Sequence, residues 1–276
     1  MNNAKSRVQK KVTKQEYFDF KRNNKMLIRP TILASVLSLS LSGCIINVNG
    51  ADMSPLEHQH QSIQLDASGL NALVADTGAG SLEIEGVKGL THITLEADIY
   101  TRDGVEAELS LERQGTKAHL IADFDSNVSF GNSPHMDLVL KVPSQMKMSI
   151  DDGSGSIDIS GVDADIKLQD GSGSIAIQGG KNLEIEDGSG GITLNNVDGE
   201  IQLEDGSGSI EIKDVDGDIT INDGSGSLSV KNVQGKVTID DGSGSIDVVN
   251  TLGLNIIDSG SGDVSFDRIN GPVSMH

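Results

Sequence analysis

One short phrase, Asp-Gly-Ser-Gly-Ser followed by an apolar residue, recurs at Asp152, Asp170, Asp205, Asp223 and Asp241. A near copy runs from Asp187 to Ile192 and a looser one from Ser259 to Val264. The first glycines stand at 153, 171, 188, 206, 224, 242 and 260, so the period is 18 residues with a single interval of 17. So regular a repeat excludes an ordinary globular core and requires a stack of like units. Between the phrases apolar and polar residues alternate, as in Ile210-Glu-Ile212, then Val215, then Ile219-Thr-Ile221. A period of two belongs to strands, and no segment of the repeats carries helical spacing.

Each unit therefore holds two strands of about four residues. They are joined at Asp214-Val-Asp-Gly217 and at Asp223-Gly-Ser-Gly226. Strands so short bury their apolar face only when the next unit stacks on them. The expected fold is all-β: a single-stranded parallel β-helix, or β-solenoid, of about 18 residues per coil, right-handed by the general crossover preference. At about 4.8 Å per rung, the seven repeats extend roughly 30 Å. Ile210, Ile212, Val215, Ile219 and Ile221 are expected to point inward, and Glu211 and Thr220 outward. The glycines serve corners that need unusual backbone angles or close approach. A phosphate cradle is a poor alternative, because Gly188-Ser-Gly190 neither completes GxGxxG nor leads into a helix.

Stacking also places Asp170, Asp187, Asp205, Asp223 and Asp241 in a row. At that spacing neighbouring charges repel by about 0.9 kcal/mol in water and about 3.5 kcal/mol at an effective dielectric of about 20. Solvent screening, together with bonds from the Gly and Ser amides of each turn, is the first explanation of how the row is tolerated. Bound divalent cations, Ca²⁺ above all, are the second.

Aromatic residues make up 3% of the chain, so Ile, Leu and Val must supply the core. The net charge of −20 is divided unevenly: residues 1–43 carry +7 and residues 44–276 carry −27. A body so acidic repels phosphate backbones and anionic lipid head groups, which argues against nucleic acid as a partner. A solvated acidic surface is a simpler reading than specific cation recruitment.

From Met26 the chain reads as an export signal: a short basic start, an apolar run from Thr31 to Leu41, then small residues before a cysteine. The run is too short for a hydrocarbon layer that needs about 20 residues. Leu41-Ser42-Gly43-Cys44 resembles the bacterial lipobox, whose cysteine receives a diacylglyceryl group and becomes the new amino terminus. This resemblance implies lipidation at Cys44 and a membrane as the first partner. Durable anchoring takes two or more acyl chains. Ile45 and Ile46 follow where an inner-membrane retention mark would carry Asp, so outer-membrane sorting is expected. The four expected segments are a signal at 1–43, with translation starting at Met1 or Met26; a lipidated tether at 44–61; an irregular amino-terminal β part of the same solenoid at 62–150, in which Gly78 to Val87 echo the repeat and for which an independent domain is the alternative; and the regular solenoid at 151–276. Tyr100 to Lys117 is read as a charged cap on the irregular part. In the tether, His58 and His60 are read as incidental rather than as metal ligands.

The passage Met136-Asp-Leu-Val-Leu-Lys-Val-Pro143, continued by Met146-Lys-Met-Ser-Ile150 and the first repeat to Ile159, resembles the putative-adhesin domains of unknown function related to the head-GIN family. The resemblance covers roughly residues 62–276 and implies a parallel β-helix without catalytic residues to transfer. The Gly-Ser-Gly repeats also resemble the calcium-binding nonapeptides of secreted toxins, but Ile157, Ile175, Ile192 and Ile210 occupy the place of the ligand Asp.

Between 151 and 275 there is no His, Cys, Tyr or Trp, so no nucleophilic triad can be assembled there. His92, His119 and His135 lie in the irregular part without HExxH or GxSxG around them. Carboxylates abound but recur in near-identical surroundings, whereas paired-carboxylate hydrolysis needs one site with unequal acidities. The expected function is accordingly a non-enzymatic envelope lipoprotein that binds a protein or glycan. A structural or cation-binding scaffold ranks second and a carbohydrate-active β-helix enzyme third.

Overall fold

The computed structural model describes residues 55–125 and 133–276. The segments 1–43 and 44–54, and with them Cys44, lie outside the described residues. Nineteen strands within the described residues join in a single sheet, and no helix occurs among them. The amino-terminal strands are β1 (Glu57–Asp66), β2 (Ala72–Ala79), β3 (Leu82–Val87), β4 (His92–Thr101), β5 (Ala107–Gln114), β6 (Lys117–Phe124) and β7 (His135–Pro143). The coils follow as β8 (Lys147–Val162), β9 (Ile166–Asp170), β10 (Gly173–Gly179), β11 (Leu183–Asp187), β12 (Gly190–Val197), β13 (Ile201–Asp205), β14 (Gly208–Val215), β15 (Ile219–Asp223), β16 (Gly226–Asp241), β17 (Gly244–Asp258), β18 (Val264–Ile269) and β19 (Val273–Met275).

Among β8 to β19 every pairing is parallel and joins residues 17 to 19 apart, with one-residue register shifts at local bulges. The protein is a β-solenoid of about seven turns. One inner column runs Ile157, Ile175, Ile192, Ile210, Leu228, Ile246. A second runs Met148, Ile166, Leu183, Ile201, Ile219, Val237, Leu254. Ile210, Ile212, Val215, Ile219 and Ile221 are all buried, Thr220 is exposed and Glu211 half-exposed, in the register that the alternation implies. Identical rows of branched side chains pack well on a pleated surface.

Two corners hold the coil. At Asp-Gly-Ser-Gly the second glycine is sterically required: a Cβ on Gly190, where φ is +147°, would lie 1.4 Å from the carbonyl oxygen of Gly173. At the other corner Asn196, Asp214, Asn232, Asn250 and Arg268 all take left-handed backbone angles, φ between 52° and 60°. Asn and Asp tolerate that region better than other side chains. Asn250 Nδ2 donates to Asn232 Oδ1 at 3.0 Å, and Asn232 Nδ2 to Asp214 Oδ1 at 2.9 Å.

The parallel stack does not begin at 151. Strands β2 and β3, with Thr77-Gly-Ala-Gly80 between them, form a complete earlier coil paired in parallel with β8. On the far side of that coil β6 and β7 stack in parallel on β2 and β3, so residues 117–124 and 135–143 sit outside residues 72–87 in the stack. Antiparallel strands finish this end: β5 pairs with β6, β4 with β7 and β1 with β4. The stretch Tyr100 to Lys117, expected as a charged cap, contains β5 of that layer. The tether assignment of 44–61 must be corrected at its end, because residues 57–61 belong to β1. His58-Gln-His60-Gln shows no apolar alternation, so backbone pairing to β4 and polar cross-strand contacts hold it instead.

Candidate functional site: a buried aspartate row and a surface histidine cluster

The first Asp of each repeat phrase turns inward. Strand β13 reads Ile201-Gln-Leu203-Glu-Asp205, and alternation places Asp205 on the same side as Ile201 and Leu203. The pattern repeats in β9, β11 and β15. Asp152, Asp170, Asp187, Asp205, Asp223 and Asp241 are consequently 1–7% exposed. They are stacked in register from coil to coil. The sequence reading named the last five; Asp152 heads the row, and its inward parity with Met148 and Ile150 was the available signal.

One oxygen of each carboxyl is satisfied locally. Asp170, Asp187, Asp205, Asp223 and Asp241 accept at Oδ1 the backbone N–H of the serine two residues on, at 3.0–3.2 Å. This is the turn-amide contact expected from the sequence. Asp152 differs: its Oδ1 accepts the hydroxyl hydrogen of Thr77, which occupies the Asp position in the β2–β3 coil. The second oxygen, Oδ2, is buried and without a hydrogen-bond partner in all six. Solvent screening, the other half of the expected relief, does not reach these oxygens.

Burial is the main cause that raises the pKa of all six carboxyls, and neighbouring carboxylates add to it along most of the row. Asp152 is pushed up to about 7, and Asp187 and Asp223 to about 6. Asp170, Asp205 and Asp241 are raised as well, while the turn amides pull in the opposite direction. Among the described residues no group of three or more His, Cys, Asp or Glu side chains is placed to hold a metal ion.

A second polar cluster lies on the outer face of β1, β4 and β7. His58 Nε2 and His60 Nδ1 approach Asp98 Oδ1 at 2.7 and 3.1 Å, and His60 Nε2 lies 3.1 Å from Glu96 Oε2. The hydrogen bond to Asp98 raises the pKa of His60, and the bond from His58 lowers that of Asp98. Tyr100 stacks between His58 and His135, with ring centroids 4.8 and 4.6 Å apart. The two tether histidines, read as incidental, thus pin an edge strand. His135 joins them through the stack, His92 is exposed and bonds Thr91, and His119 is half-buried on β6.

A shallow depression lies where Thr77 to Leu82 meet Asp152, and it encloses no room even for a water molecule. A small-ligand site takes roughly 300–1,000 Å³.

No family model matches the chain, and no curated protein does. Similar solved structures include a putative adhesin from Bacteroides fragilis, 15% identical over 78% of this chain and 96% of that one, with a TM-score of 0.41. A putative lipid binding protein from Parabacteroides distasonis is 16% identical over 79% and 96%, with a TM-score of 0.43. A putative cell adhesion protein from Clostridium sporogenes is 11% identical over 79% and 100%, with a TM-score of 0.33. Likeness at this level transfers no residue role and no activity to the present chain.

Proposed function

We propose that the chain is a lipid-anchored envelope protein whose solenoid is a non-enzymatic interaction module, an adhesin-like body that offers repeated contacts to a protein or glycan. The observation that carries this reading is the uninterrupted outer surface from β9 to β17, where successive strands are joined by corners of two or three residues. No inserted loop builds a cleft there, and the same strand-and-corner geometry returns in coil after coil while the outward side chains vary, as in the column Asp158, Ala176, Thr193, Glu211, Ser229, Asp247. Catalysis requires one distinctive constellation with groups of unequal acidity. A repeating surface instead suits many equal weak contacts, which add by multivalency. Anchoring rests on Cys44 and the residues before it, and outer-membrane sorting on Ile45 and Ile46.

Metabolic labelling with an alkyne fatty acid, followed by protease treatment of intact cells, tests the proposal. The wild-type chain should carry label and lose its body to external protease, and Cys44→Ser should carry none. Label on Cys44→Ser overturns the anchor. A body cut only after the outer membrane is permeabilised overturns its display to an external partner.

A further inference from the structure

Six carboxyl groups stand one above another inside the coil, each with an oxygen that lacks a donor. Were all six ionised, Oδ2 after Oδ2 would carry charge away from water at the rung spacing of about 4.8 Å. Unpaired buried charge is costly, and such groups take up a proton instead. The register nevertheless repeats the arrangement without interruption from Asp152 to Asp241.

We propose that this row is a proton-binding file: its buried aspartates hold protons in the folded chain, so the solenoid tightens in acidic surroundings and loosens in alkaline ones. An ionised carboxyl offers only acceptors, whereas a protonated one is uncharged and has a hydrogen to donate. No donor of the described residues reaches the six Oδ2 atoms, so a proton is what neutralises them. At the outer corner the stack carries permanent hydrogens instead, since Asn232 and Asn250 donate to the residue one coil below.

The charges acting on the row are themselves carboxylates. Within it Asp170 acts on Asp152 and Asp187, and Asp205 on Asp187 and Asp223. From outside, Asp151 of β8 acts on Asp152, and Asp240 of β16 and Asp258 of β17 act on Asp241. Strand β2 contributes the neutral hydroxyl of Thr77. Burial pushes the carboxyl pKa of Asp152 up to about 7 and those of Asp187 and Asp223 up to about 6. Folding raises these values above the ordinary 3.8, so between about pH 4 and 7 the folded chain holds protons that the unfolded chain has lost. The stability they contribute is full below that window and is lost as pH rises through it.

The test is thermal unfolding of the full-length chain in detergent, at pH 5 and pH 8 and constant ionic strength. Three proteins are compared: wild type, Asp187→Asn with Asp223→Asn, and Asp198→Asn with Asp216→Asn. The last pair removes the same formal charge from exposed positions. The wild-type midpoint should be several degrees higher at pH 5 than at pH 8. The inner pair, whose amides carry a fixed hydrogen, should gain at pH 8 and lose most of this difference, and the outer pair should keep it. A wild-type midpoint no higher at pH 5, or equal flattening in both variants, overturns the proposal. If the inner variant fails to fold, aspartate-carboxyl ¹³C resonances of the wild type decide. Inflections above pH 5 support the file, and completion of every titration below pH 5 overturns it.

Discussion

The hydroxyl of Thr77 donates to the carboxylate of Asp152, which lies 75 residues later in the chain and one coil away in the stack. Thr77 stands where later coils carry Asp, so the row of acids ends against a neutral donor rather than another charge. Thr77→Val keeps the shape and deletes the hydrogen. A buried acceptor left without its donor costs about 1–3 kcal/mol. That bond now holds the pKa of Asp152 down against burial. The loss measured by urea unfolding should therefore be larger at pH 8, where Asp152 is ionised, than at pH 5. Thr77→Ser should retain most of the wild-type stability.

The adjacent glycines 190 and 191 of the near-copy repeat should respond in opposite ways. Gly190→Ala places a Cβ 1.4 Å from the oxygen of Gly173 and should prevent that coil from closing. Gly191 occupies the position of Ser174 and Ser209 in the adjoining coils, and a Cβ there meets nothing nearer than the Ser209 hydroxyl at 3.7 Å. Gly191→Ser should stabilise the solenoid by about 0.5–1 kcal/mol, because glycine within a strand loses more freedom on folding. Denaturation midpoints of the two variants provide the check.

Calcium should leave the melting midpoint where EDTA leaves it, at matched ionic strength. The Asp row presents one oxygen already committed to a turn amide or to Thr77 and one directed into a closed interior. Ca²⁺ requires six to eight oxygens, several of them usually water. A midpoint that rises with millimolar Ca²⁺ would restore the cation reading and count against proton uptake by the row.

The coil could be read from the chain because its signal is local and repeated. Ile210, Ile212, Val215, Ile219 and Ile221 alternate in each unit, and a stack has one register that buries them all. The burial of the Asp row was legible in the same alternation, since Asp205 shares parity with Leu203. Its polarity and its turn-forming company led instead to a solvated corner. Strand β1 gave no such sign, because the side chains of His58-Gln-His60-Gln all remain exposed and its partner β4 is some forty residues away. The placement of β6 and β7 outside β2 and β3 depends on pairings between distant segments that no local period encodes.

The inward register of the coils supports both the smooth outer surface and the enclosed acid row, and Ile212 tests it most directly. Ile212 is fully buried, while Thr220 on the next strand is exposed. Urea unfolding of Ile212→Asp and Thr220→Asp compares one new carboxylate on each side of the wall. Ile212→Asp should lose more than about 3 kcal/mol, through lost apolar burial and an unpaired buried charge, and should take neighbouring coils with it. Thr220→Asp should stay within about 1 kcal/mol of wild type. Equal stability of Ile212→Asp and wild type, or a larger loss in Thr220→Asp, would contradict the register.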